Sequence, residues 1–359
     1  MNVFIIFVFI ALLLWFHSLQ TRDMDNDGRL TKICLYILTI MLIFIAGARG
    51  STVGTDTPVY VDTYESMKNM TFEQFTYKGE SGEGITNGYF VCSYLFSSWT
   101  HLSWHWWFAV VSAVYMFTIS SFCIRYSRDP IFALLAFWGV GLYSFSLAGQ
   151  KQTLGMSFAL MSWMAFDQRK WLPAILLLYV AYWFHTSTVI FLGAYILYFF
   201  VEKKYYYTLV VVIMGAVFLF GPALWKEGLD TLNNQHYSTL YAEADNTYSN
   251  VMLIFFSVLV GCSLYYFKNY RSEQFVSSRL MYGYSFVAIV LFFLCMTFST
   301  AFRLAYYFAP FTLILLSNCS YDKSKNKINI TFELGIMAMI LFFFFYTSRD
   351  SHYIFFWEE

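Results

Sequence analysis

Four short polar clusters interrupt an otherwise apolar chain, and each carries a group able to act on a phosphate or a sugar. The first is Arg49-Gly50-Ser51-Thr52-Val53-Gly54-Thr55-Asp56-Thr57, with Tyr60 just beyond it, placed where an apolar run ends. An arginine stays cationic and can grip a phosphate or carboxylate through two parallel hydrogen bonds, while glycines allow tight turns and close backbone approach. Asp56 could pair with Arg49, act as a base, or accept from a sugar hydroxyl; a capped loop closed by an Arg49 and Asp56 ion pair is the plain alternative. The second cluster, Gly149-Gln150-Lys151-Gln152, forms a turn between two apolar runs. An ammonium flanked by amides suits a hydroxyl-rich or phosphate-bearing ligand, whereas a lysine snorkelling to the interface needs none. The third, Phe184-His185-Thr186-Ser187, sets an imidazole at membrane depth, where ionisable groups are costly and functional by default. His185 can serve as general base or hydrogen-bond donor near neutral pH, or simply bridge two helices. The fourth is Arg303, followed by Tyr306-Tyr307-Phe308; Arg349 adds a further cation in the tail. Lipid anchoring is the alternative for both.

These clusters hang on apolar segments. Of 359 residues, 59% are apolar and 12% charged, against roughly half and a quarter in soluble proteins, which excludes a soluble globule. Runs near the ~20 residues needed to cross a bilayer fall at 2–19, 33–48, 103–124, 130–148, 152–167, 171–184, 186–200, 205–222, 250–267, 280–298, 303–319 and 330–346. The pattern predicts an all-α, polytopic integral membrane protein of about 12 transmembrane helices, forming a single transmembrane domain over 1–359. The first run lacks a basic start and a small-residue cleavage site, so it is expected to be a span rather than a signal peptide. Tyr89 to Trp99 is short and broken by serines, as suits one interfacial or re-entrant helix. His185 divides the long apolar stretch from Trp171 to Phe200 into two short spans or a broken helix.

Cytoplasmic loops carry the excess of Lys and Arg. Connections around Arg22, Arg125, Arg169, Lys203, Lys268 and Lys323 hold 15 basic residues against 7 on the opposite side. Both termini then face away from the cytoplasm, as do two long loops, about 49–88 and 223–250. Long loops in compact membrane domains often bind ligands or act as lids, although they can also be plain solvated connectors. The second is rich in tyrosine, and Tyr237, Tyr241 and Tyr248 could stack on sugar faces or mark the interface.

On this topology Arg49, Lys151, Arg303 and Arg349 share one outward face with His185 and Asp56, on the side where the charge rule thins cations. An anionic ligand presented from the outer leaflet, such as a lipid-linked pyrophosphate, fits that set. Neither a phosphate loop nor metal-type spacing of the six cysteines is present, so no cofactor or metal is expected. No basic patch interleaved with aromatics points to nucleic acid. A transporter or flippase of lipid-linked oligosaccharide would also be polytopic and basic, but its charges would line a path open to both leaflets. A membrane acyltransferase modifying a glycan would need its histidine accessible to a cytosolic acyl donor.

The sequence resembles the EpsG family of membrane proteins, grouped with Wzy-type polysaccharide polymerases. The resemblance is carried by Arg49-Gly50 with Val53-Gly54-Thr55-Asp56-Thr57 and Tyr60, by Gln152 after Lys151, by Phe184-His185 with Ser187, and by Arg303 with Tyr307-Phe308 and Pro310. Lys151 stands where relatives commonly have arginine, and Asn87 where they commonly have an acid. The resemblance implies a GT-C-like, Wzy-like architecture in the bacterial inner membrane and a glycosyltransferase that polymerises O-antigen, capsule or exopolysaccharide. Undecaprenyl-pyrophosphate-linked oligosaccharides would be its substrates, membrane lipid its setting, and chain-length regulator and flippase proteins its partners. Arg49, Lys151, Gln152, Arg303, Arg349 and Tyr60 would then bind substrate and pyrophosphate, with His185 or Asp56 taking the proton of the attacking hydroxyl.

Overall fold

The computed structural model describes residues 2–21, 28–78, 87–231, 247–266, 278–294, 302–322, 327–347 and 353–358. Its described part is helical apart from one antiparallel pair, Tyr321–Asp322 with Lys327–Ile328. The chain divides into two compact units, one of Met1–Arg125, Asp129–Val189 and Phe344–Glu359, the other of Tyr126–Arg128 and Ile190–Phe343.

In the first unit the helices are α1 (Asn2–Thr21), α2 (Arg29–Gly47), α3 (Thr57–Lys68), α4 (Phe72–Lys78), α5 (Gly88–Thr100), α6 (Trp104–Tyr126), α7 (Pro130–Gly139), α8 (Leu142–Ala148), α9 (Gln150–Asp167) and α10 (Trp171–Phe184). Asp129 starts α7 by accepting from the Phe132 N–H at 2.9 Å, with Pro130 in the first turn where its missing donor costs nothing. The other carboxylate oxygen takes the Trp15 indole N–H at 3.1 Å, so this buried acid also ties α1 to α7. Phe158 of α9 and Phe184 of α10 stack at 5.3 Å, packing those two helices together. Leu172, Ile175, Leu176 and Tyr179 of α10 are more than half exposed. A contiguous face of that kind belongs against lipid, not water.

α1, α2, α6 and Ile330–Thr347 are long and apolar enough to cross a membrane alone, and α7 with α8, bent by 54°, makes a fifth candidate. The other apolar segments are also helical, but shorter: Trp171–Phe184, Thr186–Phe200, Tyr206–Ala216, Val251–Leu264, Arg279–Leu294 and Ala309–Cys319. Length and composition therefore support a membrane protein with four or five such helices among the described residues, and about 12 crossings remains an expectation. α5 is 13 residues long, too short to cross alone. Among the described residues, 49–88 contains α3 and α4, and the helix Tyr206–Thr231 runs nine residues past the expected end at 222.

In the second unit, the helix Ser278–Leu294 packs against Tyr206–Thr231, Thr247–Tyr266 and Ala309–Cys319. Two buried hydroxyls there pair within the core: Tyr284 donates to the Ala194 carbonyl at 2.7 Å and Thr312 to Ser285 at 3.0 Å. Glu333, fully buried, accepts from Ser320 at 2.6 Å.

Candidate functional site

The end of α2 is tied to the turn that opens α9. Arg49 is 1% exposed. Its Nη2 donates to the Leu147 carbonyl at 2.8 Å, its Nη1 to the Ala46 carbonyl at 3.3 Å, and its guanidinium lies 4.5 Å from the Phe108 ring. Among the described residues no carboxylate bonds it, so the alternative of an ion pair with Asp56 does not hold. Burial lowers its pKa from 12.5 to about 10, with Tyr143 and Tyr89 opposing the shift; the group stays charged at neutral pH. Thr57 Oγ1 donates to the Val53 carbonyl at 2.7 Å and to Leu147 at 3.2 Å, so one carbonyl gathers both Arg49 and Thr57. Gly54 makes this possible: φ is +101°, and a Cβ would stand 2.8 Å from the Leu147 carbonyl oxygen. Asp56, half-buried, precedes α3 without capping it and accepts from Thr55 at 3.3 Å.

A strap that the sequence did not announce holds the same exit. The Gly50 N–H donates to the Ile354 carbonyl at 2.9 Å and the Phe356 N–H to Ala48 at 3.0 Å, which makes Arg49 and Phe355 a bridge pair. Tyr353 donates to the Ile45 carbonyl at 2.6 Å.

α9 opens with Gln150, Lys151 and Gln152. Lys151 is half-buried, its Nζ 4.7 Å from the Phe90 ring and 6.0 Å from Tyr60. Tyr60 lies 5.1 Å from Tyr89, and Tyr89 donates to Gln150 Oε1 at 2.7 Å. Gln152 is buried one position further on. Asn87 caps α5 through the Tyr89 N–H at 2.9 Å and donates from Nδ2 to the Phe184 carbonyl at 3.2 Å. An ionised acid could cap in the same way but could not make that second bond.

α10 ends at His185, whose extended backbone (φ −155°) breaks the apolar stretch. Its Nδ1 lies 2.6 Å from Ser187 Oγ and accepts from the Ser187 N–H at 3.3 Å. A backbone N–H only donates, so the neutral ring carries its proton on Nε2. Gly155 seats this break against α9, since a Cβ there would lie 3.0 Å from Thr188 Oγ1 and 3.1 Å from His185 Cβ.

The first unit thus holds Arg49, Asp56, Tyr60, Lys151, Gln152 and His185 on connected elements. Arg303 belongs to the second unit, where it lies half-buried in the short helix Phe302–Ala305. Arg349, Tyr237 and Tyr241 lie outside the described residues, and of Tyr248 only the backbone is described. Tyr89 and the strap are the site features that sequence reasoning passed over; Gln150 figures in it as one of the two amides flanking Lys151. Among the described residues, no three His, Cys, Asp or Glu side chains gather as a metal site.

Apolar outward faces and polar groups concentrated where α2, α5, α9 and α10 begin or end define a helical membrane protein with a built polar site. The chain belongs to the EpsG family, which it matches over residues 32–358. That is a Wzy-like polymerase family, so the chain is, in general terms, a glycosyltransferase-like protein of polysaccharide polymerisation. No curated protein and no solved structure matches the chain.

Proposed function

We propose that the protein lengthens a cell-surface glycan at the outer leaflet of the bacterial inner membrane, transferring the growing chain from undecaprenyl pyrophosphate onto the terminal sugar of another lipid-linked repeat unit. Both termini face outward, and chain-length regulator and flippase proteins act beside it. The observation that carries this is the gathering of Lys151, Arg49, Tyr60 and His185 on connected elements of one unit in a chain of the EpsG family.

In the reaction the acceptor hydroxyl oxygen bonds to the anomeric carbon, the carbon–oxygen bond to pyrophosphate breaks, and the pyrophosphate leaves with the electron pair. Lys151, half-buried at the mouth of α9, stabilises the charge that develops on that leaving group. Arg49, its two outer nitrogens bonded to carbonyls, acts as a positioning residue that fixes the α8–α9 turn and adds a permanent positive charge. His185 donates through Nε2 to a substrate oxygen, a role supported by the acceptor state of its Nδ1. Asp56 then takes the hydroxyl proton. Gln152, next to Lys151 on α9, adds a substrate contact and Tyr60 offers a sugar-stacking face, while Arg303 and Arg349 are carrier-binding cations on the topology of the sequence alone.

Deleting the gene and analysing surface glycan tests this reading. Single repeat units on the carrier, with long chains lost, is the expected result. Units trapped on the cytoplasmic side would instead identify a flippase and overturn the proposal.

A further inference from the structure

We infer that Gln150, oriented by Tyr89, is a substrate-binding hydrogen-bond donor of this site and takes an anionic phosphoryl oxygen of the carrier. The inference rests on the pyrophosphate reading and deepens it.

Gln150 is 1% exposed, yet only one end of its amide is used. Oε1 accepts from Tyr89, and Nε2 meets no partner in the protein. Exchanging the amide's oxygen and nitrogen would leave the other end unmet, so one polar atom is stranded either way. The fold uses the acceptor end of this amide, for the Tyr89 hydroxyl, but makes no use of its N–H donors. Tyr89 is itself locked, 2% exposed and packed 5.1 Å from Tyr60 and 5.7 Å from Trp107, so the amide plane is held rather than free to turn.

The neighbouring groups choose the ligand. Arg49 Nε is a second buried donor without a partner, on a guanidinium whose Nη2 holds the Leu147 carbonyl three residues before Gln150. Lys151 follows Gln150 directly. The helix they open, α9, runs 18 residues, and its cap Gly149 makes no side-chain bond to the first-turn N–H groups. An amide N–H, a guanidinium N–H, an ammonium and a helix N-terminus are all donors or positive ends. An oxyanion, with several lone pairs and no hydrogen to place, meets several such donors at once, whereas a sugar hydroxyl brings an O–H that none of them can accept. Phosphoryl oxygens of a pyrophosphate are such acceptors, with Lys151 half-buried and Gln150 buried.

The test uses the full-length protein in detergent, with farnesyl pyrophosphate as a short-chain carrier probe, inorganic pyrophosphate as the free-phosphate arm and farnesol as the uncharged arm. Gln150→Glu keeps the acceptor for Tyr89 but puts a negative charge where the donor stood; Gln150→Met removes both. Farnesyl pyrophosphate affinity is expected to fall at least tenfold in both variants and about threefold or more in Tyr89→Phe, with farnesol unaffected. Without ligand, Gln150→Met placed in the Tyr89→Phe background, where no hydroxyl loses its acceptor, should melt no lower than Tyr89→Phe alone, since it loses a stranded donor. A lower melting temperature together with unchanged affinity would mark Gln150 as structural and overturn the inference. If Lys151→Ala loses the probe while both Gln150 variants keep it, the pyrophosphate reading stands and Gln150 falls. If the wild type binds neither pyrophosphate probe, both fall.

Discussion

At the scale of single residues, Arg49 shows how a charge can be both buried and useful. Its outer nitrogens hold two carbonyls and its plane rests on Phe108, so neither charge alone nor shape alone describes it. Lysine in its place would keep a charge but lose the planar fork. Burial would lower a lysine here in the same direction, from an ordinary value already below that of arginine. A cation is the required form, so chain extension by Arg49→Lys should be weak and should fall further as pH rises. The wild type, with Arg49 titrating at about 10, should stay flat on this account from pH 6 to 9. Extension rates across that range check it, and parallel profiles would contradict the assignment. Gly54 makes a second residue-scale test. Alanine there combines a positive φ with a clash against the Leu147 carbonyl, so Gly54→Ala should cost roughly 1–3 kcal/mol, read as a lowered melting temperature in detergent. Arg49, Lys151 and His185 were legible in the sequence because an ionisable group in an apolar run is conspicuous. Gln150 was legible only as an amide beside Lys151, and Tyr89 was not: a tyrosine near an interface is ordinary, and its partner lies 61 positions away.

At the scale of elements, the site is made of helix ends. Arg49 lies two residues past the end of α2, Lys151 is the second residue of α9, His185 follows the last residue of α10, and Asn87 caps α5 and bonds the carbonyl of Phe184, the last residue of α10. Helix ends are where backbone groups lack intrahelical partners, so they are where polar side chains gather. Apolar run lengths located these helices well, but two features resisted. The bend between α7 and α8 lies within one unbroken apolar run, 130–148, that reads as a straight span. The strap 353–358 is too short for any periodicity and joins residues about 300 positions apart. Phe356→Pro removes the N–H that reaches Ala48; the bond is worth about 1 kcal/mol. That variant should melt lower and polymerise less, whereas Phe356→Ala, which keeps the N–H, should retain more of both. Equal behaviour of the two would show that the aromatic ring, not the backbone bridge, secures the exit.

At the scale of the whole molecule, charge distribution and lipid-facing surfaces define a membrane protein, while the number of crossings depends on how short helices pair. Single cysteines introduced for Thr55 and Lys203, in a background lacking the native cysteines, test the direction. The first should react with an impermeant thiol reagent in intact spheroplasts, the second only after the membrane is opened. The reverse pattern would place the site beside the cytoplasm. The most direct test of the central claim is reconstitution of the full chain alone in vesicles with undecaprenyl-pyrophosphate-linked repeat units. Polymerisation predicts a ladder of lengthened glycans with release of undecaprenyl pyrophosphate, both abolished in Lys151→Ala. Repeat units that cross the bilayer but never lengthen would contradict it.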